Sequence, residues 1–96
     1  MSISLRHHLV IAEQVLFRQV EDEGVLLDLK SGTYFGLNDV GARAWQLIVE
    51  HGSLSRVVEV LQDEYEAEPE IVERDLLALA GQLIGQQLAR VKPNDG

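Results

Sequence analysis

Ninety-six residues suffice for one domain with a single core. A hydrophobic content of 46% argues against disorder, and a formal charge of -8 makes nucleic acid a poor partner, because such binding draws on Lys and Arg neutralising phosphates. The absence of cysteine excludes disulfides, thiolate metal sites and a cysteine nucleophile; it suits a reducing cytosol, where the chain is expected to reside.

No apolar run approaches the ~20 residues that span a bilayer, so no membrane association is expected. Residues 1–12 carry Arg6, His7 and His8 with no apolar stretch long enough for a signal peptide, and read as a flexible or lightly docked lead-in. Val15–Val20 is rich in β-branched and apolar residues and predicts a strand. Glu21-Asp22-Glu23-Gly24 is polar, ends in glycine and predicts a turn. Val25–Leu29 predicts a second strand, Lys30-Ser31-Gly32 a short hairpin loop, and Thr33–Leu37 a third strand. Together these make an antiparallel meander.

Asn38 is a good helix N-cap, and Asp39 after it complements the helix dipole. A helix from Asp39 to about Glu50 sets Gly41, Ala44, Trp45, Ile48 and Val49 on one face, with Trp45 as core anchor. Gly52 predicts its C-cap, and Ser53 opens a second helix bearing Leu54, Val57, Val58, Leu61 and Tyr65 in register. Pro69 predicts the first turn of a third helix running to about Gln87, with Val72, Leu76, Leu79, Ala80 and Leu83 on one face. Leu77 and Ile84 flank that stripe and broaden it. Gly81 and Gly85, four apart, either admit another backbone closely or mark a loosely wound end. Residues 92–96 read as a disordered tail, leaving residues 13–91 as the domain. Strands followed by three helices, two of them joined only by Gly52-Ser53, predict an α+β winged helix-turn-helix: a three-stranded antiparallel sheet followed by three helices.

Catalysis needs convergent polar groups, and the sequence supplies none. His7 and His8 fall in the lead-in, and His51 falls at a helix end, where a cation is favourable. No metal ligands stand at helical or hairpin spacing around them. The carboxylates Glu64, Glu66, Glu68, Glu70 and Glu73 lack the glycine of a calcium loop and read as a solvated face. Gly32 and Gly36 lack the spacing and lysine of a phosphate loop, and Ser31, Ser53 and Ser55 fit turn and cap positions. The chain is therefore expected to be no enzyme and to hold no cofactor and no metal. Its acidity serves solubility or a basic partner.

The third strand is the informative feature. A small meander leaves an edge with unpaired backbone groups, and Thr33-Tyr34-Phe35-Gly36-Leu37 has no lysine or proline to blunt it. With the apolar third helix alongside, this edge would form a groove for an extended peptide. Otherwise Leu77, Leu79, Leu83 and Ile84 all belong to the core, and the N-terminal segment covers the edge.

The stretch from Val25 to Trp45, with its Gly32-Thr33-Tyr34-Phe35 hairpin, Leu37-Asn38, Gly41 and the aromatic Trp45, resembles the PqqD-like family over about residues 13–91. The resemblance implies a stand-alone recognition element for ribosomally synthesised precursor peptides, of the kind found in lasso-peptide and related clusters. It implies that a leader peptide adds as a strand to the third strand beside the third helix. Carried onto this chain, one wall would be Thr33, Tyr34, Phe35, Gly36 and Leu37; the other would be Leu76, Leu77, Ala80, Leu83 and Ile84. The implied partners are the leader peptide and a modifying enzyme such as a radical SAM enzyme, a leader peptidase or a cyclase. Two other readings stay open. One is a DNA-binding winged-helix regulator, for which Arg74 is the only basic residue between Glu70 and Gln87; the other is a homodimeric scaffold pairing the same strand edges.

Overall fold

A computed structural model describes residues 3–92. In chain order they form β1 (Leu9–Ile11), β2 (Val15–Val20), β3 (Glu23–Asp28), β4 (Thr33–Leu37), α1 (Asp39–His51), α2 (Leu54–Glu64), α3 (Pro69–Gly85) and β5 (Ala89–Val91). β2, β3 and β4 make the expected antiparallel meander, in that order across the sheet. With the three helices it is the α+β arrangement read from the sequence.

Strand alternation gives the sheet two different faces. On one, Phe17, Leu26 and Phe35 stand in a cross-strand row against the helices; on the other, Leu16, Leu27 and Tyr34 form a row facing away from them. The β2–β3 turn is Glu21-Asp22, with Glu21 at φ 57, and Gly24 lies inside β3 rather than in the turn as expected. Its role is close packing: a Cβ there would sit 2.7 Å from Phe17 Cε1 and 3.0 Å from the Ala42 Cβ. Gly24 is thus where α1 presses on the sheet.

The helix ends follow their caps. Asn38 Oδ1 accepts from the Gly41 N–H at 2.7 Å, Gly52 closes α1 at φ 74, and Ser53 caps α2 through the Arg56 N–H. The buried face of α1 is Ala42, Ala44, Trp45, Leu47 and Ile48; Val49, expected among them, is 59% exposed. Trp45 stacks on Phe17 with ring centroids 6.5 Å apart and ties α1 to the sheet. Pro69 opens α3 as expected, but the helix stops at Gly85. Gln87 takes a left-handed conformation, φ 62, and the N–H groups of Leu88 and Gln87 return to the carbonyls of Leu83 and Ile84. This is the Schellman pattern, with Leu88 and Leu83 both buried behind it. A Cβ at Gly81 or Gly85 would meet nothing within 4 Å, so no backbone of this fold uses their bareness.

Two strands were not legible in the sequence. β5 follows the α3 cap and pairs antiparallel with β1, Val10 opposite Arg90. Leu9 is buried in the core, and Lys92 N–H reaches the His8 carbonyl at 2.8 Å. Residues 9–11, which fall in the flexible or lightly docked lead-in read from the sequence, are half of a small second sheet; three residues are too few to show a period. The tail expected over 92–96 lies, beyond Lys92, outside the described residues. No helix among the described residues is long and apolar enough to cross a membrane.

Arg43 on α1 clasps Glu64 at the end of α2, with Nε and Nη2 donating to the two carboxylate oxygens at 2.8 and 2.7 Å. The Arg43 hydrogen bond holds the Glu64 carboxyl below its ordinary value of 4.5. A depressed carboxylate stabilises the fold fully above its unfolded value, and that contribution disappears as pH falls through the folded one. Solvent reaches both side chains, so the pair contributes about 0.5–1 kcal/mol. Urea unfolding at pH 7 should therefore separate wild type from Glu64→Gln by that amount, and the gap should close progressively as pH drops below 4.5.

Candidate functional site

The outer edge of β4 pairs with no strand among the described residues. Which of its groups point outward follows from the register. Leu29 N–H donates to the Gln14 carbonyl at 2.9 Å, so the main chain at Leu29 faces the β2 side. Antiparallel strands direct alternate residues to alternate neighbours. Leu27 and Val25 therefore also face β2, while Gly24, Leu26 and Asp28 face β4 and engage their partners Leu37, Phe35 and Thr33. The main-chain groups of Tyr34 and Gly36 are left pointing out of the sheet. The hairpin before them is held firmly: buried Asp28 accepts from the Lys30 N–H at 2.9 Å, and Gly32 at φ 73 donates to the Asp28 carbonyl at 2.7 Å.

Beside this edge lies a cleft of about 490 Å³. Phe35, Gly36 and Leu37 make its strand wall. Its floor includes Ala44, Leu61, Tyr65 and Leu76, and Val40 of α1 also lines it. Ile71, Asp75, Ala78, Leu79 and Gln82 form the α3 wall, with Asp75 the one charged residue among the described residues that line the cleft. An apolar trough walled by a helix and an unpaired strand edge accommodates an extended chain in geometry and in hydrogen bonding. Among the described residues none of the N-terminal segment lines it, and β1 is engaged with β5. Among the described residues no group of three or more His, Cys, Asp or Glu could hold a metal ion.

Residues 23–89 match the family described as Coenzyme PQQ synthesis protein D (PqqD). The chain belongs to the PqqD family. The match runs from the start of β3 to the first residue of β5 and so takes in both walls of the cleft. Two solved structures carry the same fold at substantial identity. "TbiB1 in Complex with the TbiA(beta) Leader Peptide" is 36% identical, with a TM-score of 0.78 over 88% of this chain and 98% of that one. "Lasso peptide synthetase B1 complexed with the leader peptide" is 32% identical, with a TM-score of 0.77 over 86% of this chain and 98% of the other. No curated protein matches the chain.

The strand residues carried over from the PqqD family fall together on β4. Phe35 and Leu37 turn toward the cleft, whereas the side chains of Thr33 and Tyr34 are exposed and do not line it. On α3 only Leu76 lines the cleft as expected. Ala80 and Leu83 are fully buried in the core, Leu77 packs against the core's margin, and Ile84 borders a different depression beside β1 and β5. The cleft wall is turned roughly 150° from the expected one, at ~100° per residue. The sequence signal for it was the surplus of apolar positions on α3. Val72, Leu76, Ala80 and Leu83 satisfy the core, so Ile71, Ala78 and Leu79 belong to a second face.

Proposed function

We propose that this chain binds the leader segment of a ribosomally synthesised precursor peptide, of the lasso-peptide class, as an additional strand on β4, and holds it for a separate modifying enzyme. The observation that carries this reading is the unpaired main chain of Tyr34 and Gly36 beside an apolar cleft. Each hydrogen bond from those groups to a guest strand contributes about 1 kcal/mol net. Guest side chains alternate, and each apolar one entering the cleft adds about 1.5–3 kcal/mol. The two related structures are named as complexes with leader peptides, which favours the same guest here. The chain's part is recognition rather than chemistry.

The sheet's outer face suits the enzyme that receives the guest, be it a leader peptidase, a cyclase or a radical SAM enzyme. Leu16 and Tyr34 are 52% and 70% exposed there, with Leu27 between them and Val20 and Leu29 exposed nearby. Contiguous apolar surface of this kind marks protein contact. Pairing two β4 edges would use the same groups as the leader, so a homodimer should dissociate when peptide is added; sedimentation with and without peptide tests this.

Strand addition makes a position-specific prediction. Gly36→Pro removes an N–H that points away from β3, and edge strands tolerate proline there. Leader affinity, read by fluorescence anisotropy, should fall at least ~10-fold with the circular dichroism spectrum retained. Phe35→Pro, by contrast, removes a hydrogen bond to β3 and should destabilise the sheet. Wild-type affinity in Gly36→Pro would rule out pairing along this edge.

A further inference from the structure

We infer that Asp75 is a specificity determinant of the cleft: it selects guest peptides carrying a lysine or arginine on the same face as the apolar residue that fills the floor. This rests on the cleft being the peptide site. Among the described residues lining the cleft, Asp75 is the one with a charge, and it stands on the α3 wall between Ile71 and Leu79.

Within the chain its partner is weak. Arg74 Nε approaches Asp75 Oδ1 at 3.4 Å, with both side chains well exposed at 73% and 64%, a geometry that contributes little. The carboxylate is therefore available to a cation arriving with the guest. The surroundings reinforce the sign: Asp39 opens α1 beside Val40, Glu66 and Glu68 flank the lining residue Ala67, and the whole chain carries a formal charge of -8. An acidic residue on the guest would be repelled, and an apolar one would leave the carboxylate partly stripped of water without a partner.

The register restricts where the cation sits. A guest paired to Tyr34 and Gly36 turns every second side chain toward the floor and the α3 wall. The residue that meets Asp75 must share that face, so it stands at an even spacing, two or four positions, from the apolar anchor. Uncharged lining groups such as Asn38 and Gln82 exert no comparable choice between signs.

Selection from a random 12-residue peptide display library tests this with three forms of the whole chain: wild type, Asp75→Asn and Asp75→Lys. Asp75 is exposed on a helix, so all three should fold. Wild type should enrich Lys or Arg at one fixed even spacing from an apolar residue. Asp75→Asn should lose that preference, and Asp75→Lys should replace it with Asp or Glu. In a wild-type-selected peptide, exchanging the basic residue for norleucine should weaken binding roughly three- to tenfold against wild type and leave binding to Asp75→Asn unchanged. Identical residue preferences in all three selections would overturn the role of Asp75 while leaving the cleft as the peptide site. Failure to recover any peptide whose binding is abolished by Ala78→Arg would overturn the cleft reading itself, and this inference with it.

Discussion

Ala78→Arg should abolish leader binding without disturbing the fold. Ala78 is exposed on α3 and lines the cleft whose other wall is the strand edge. Arginine is nearly as good a helix former as alanine, so the substitution costs α3 only a few tenths of a kcal/mol. Its side chain, however, fills the trough a guest would occupy and brings a cation beside Asp75, satisfying that carboxylate from within. Affinity should drop at least ~100-fold, about 2.7 kcal/mol, by titration calorimetry. Leu77→Ala and Ile84→Ala, on the far side of the same helix, should cost stability yet leave the affinity of the folded protein unchanged. This triplet separates the helix face that lines the cleft from the one carried over from the family resemblance. If Leu77→Ala or Ile84→Ala weakens binding and Ala78→Arg does not, the cleft has been placed on the wrong side of α3.

The difference between the cleft wall and the expected one has a physical origin. Elements whose signals are local were legible: Asn38, Gly52, Ser53 and Pro69 mark helix ends by their own hydrogen-bonding and dihedral chemistry, and the structure puts each where its chemistry requires. The strand edge was legible too, because a meander this short must end somewhere and Thr33–Leu37 carries nothing to guard it. The face of α3 was not. A helix that is apolar on two sides gives periodicity no means of telling which side meets the core, and the difference depends on how α1, α2 and β4 close around it. Gly24 misled for a similar reason: beside three acidic residues it reads as a turn glycine, although its bareness serves a contact with Phe17 and Ala42, the latter eighteen residues away. The β1–β5 pair joins the two ends of the described chain, a relation that no sequence window contains.

Trp45→Ala should be the most damaging single substitution in the core. Trp45 is 3% exposed and, stacked on Phe17, is one of the residues through which α1 grips the sheet. Phe17 stands in one row with Leu26 and Phe35, so the contact supports the strand that forms the cleft wall. Truncating a buried tryptophan costs about 3–5 kcal/mol, because the neighbours cannot close the space it leaves. A domain of this length has a total stability of roughly 5–14 kcal/mol, so the variant should lose about a fifth of it or more. Trp45 is the sole tryptophan, so fluorescence cannot follow the variant, and urea unfolding must be read by circular dichroism. Binding should recover part of the loss. Leader at a hundred times its dissociation constant stabilises the folded state by about 2.7 kcal/mol, provided the cleft reassembles around it. A Trp45→Ala chain whose unfolding midpoint rises with leader would show that the core sets the population of the binding-competent fold and not the affinity of the cleft itself. A loss below about 1 kcal/mol would mean instead that α1 is held to the sheet by contacts other than this stack.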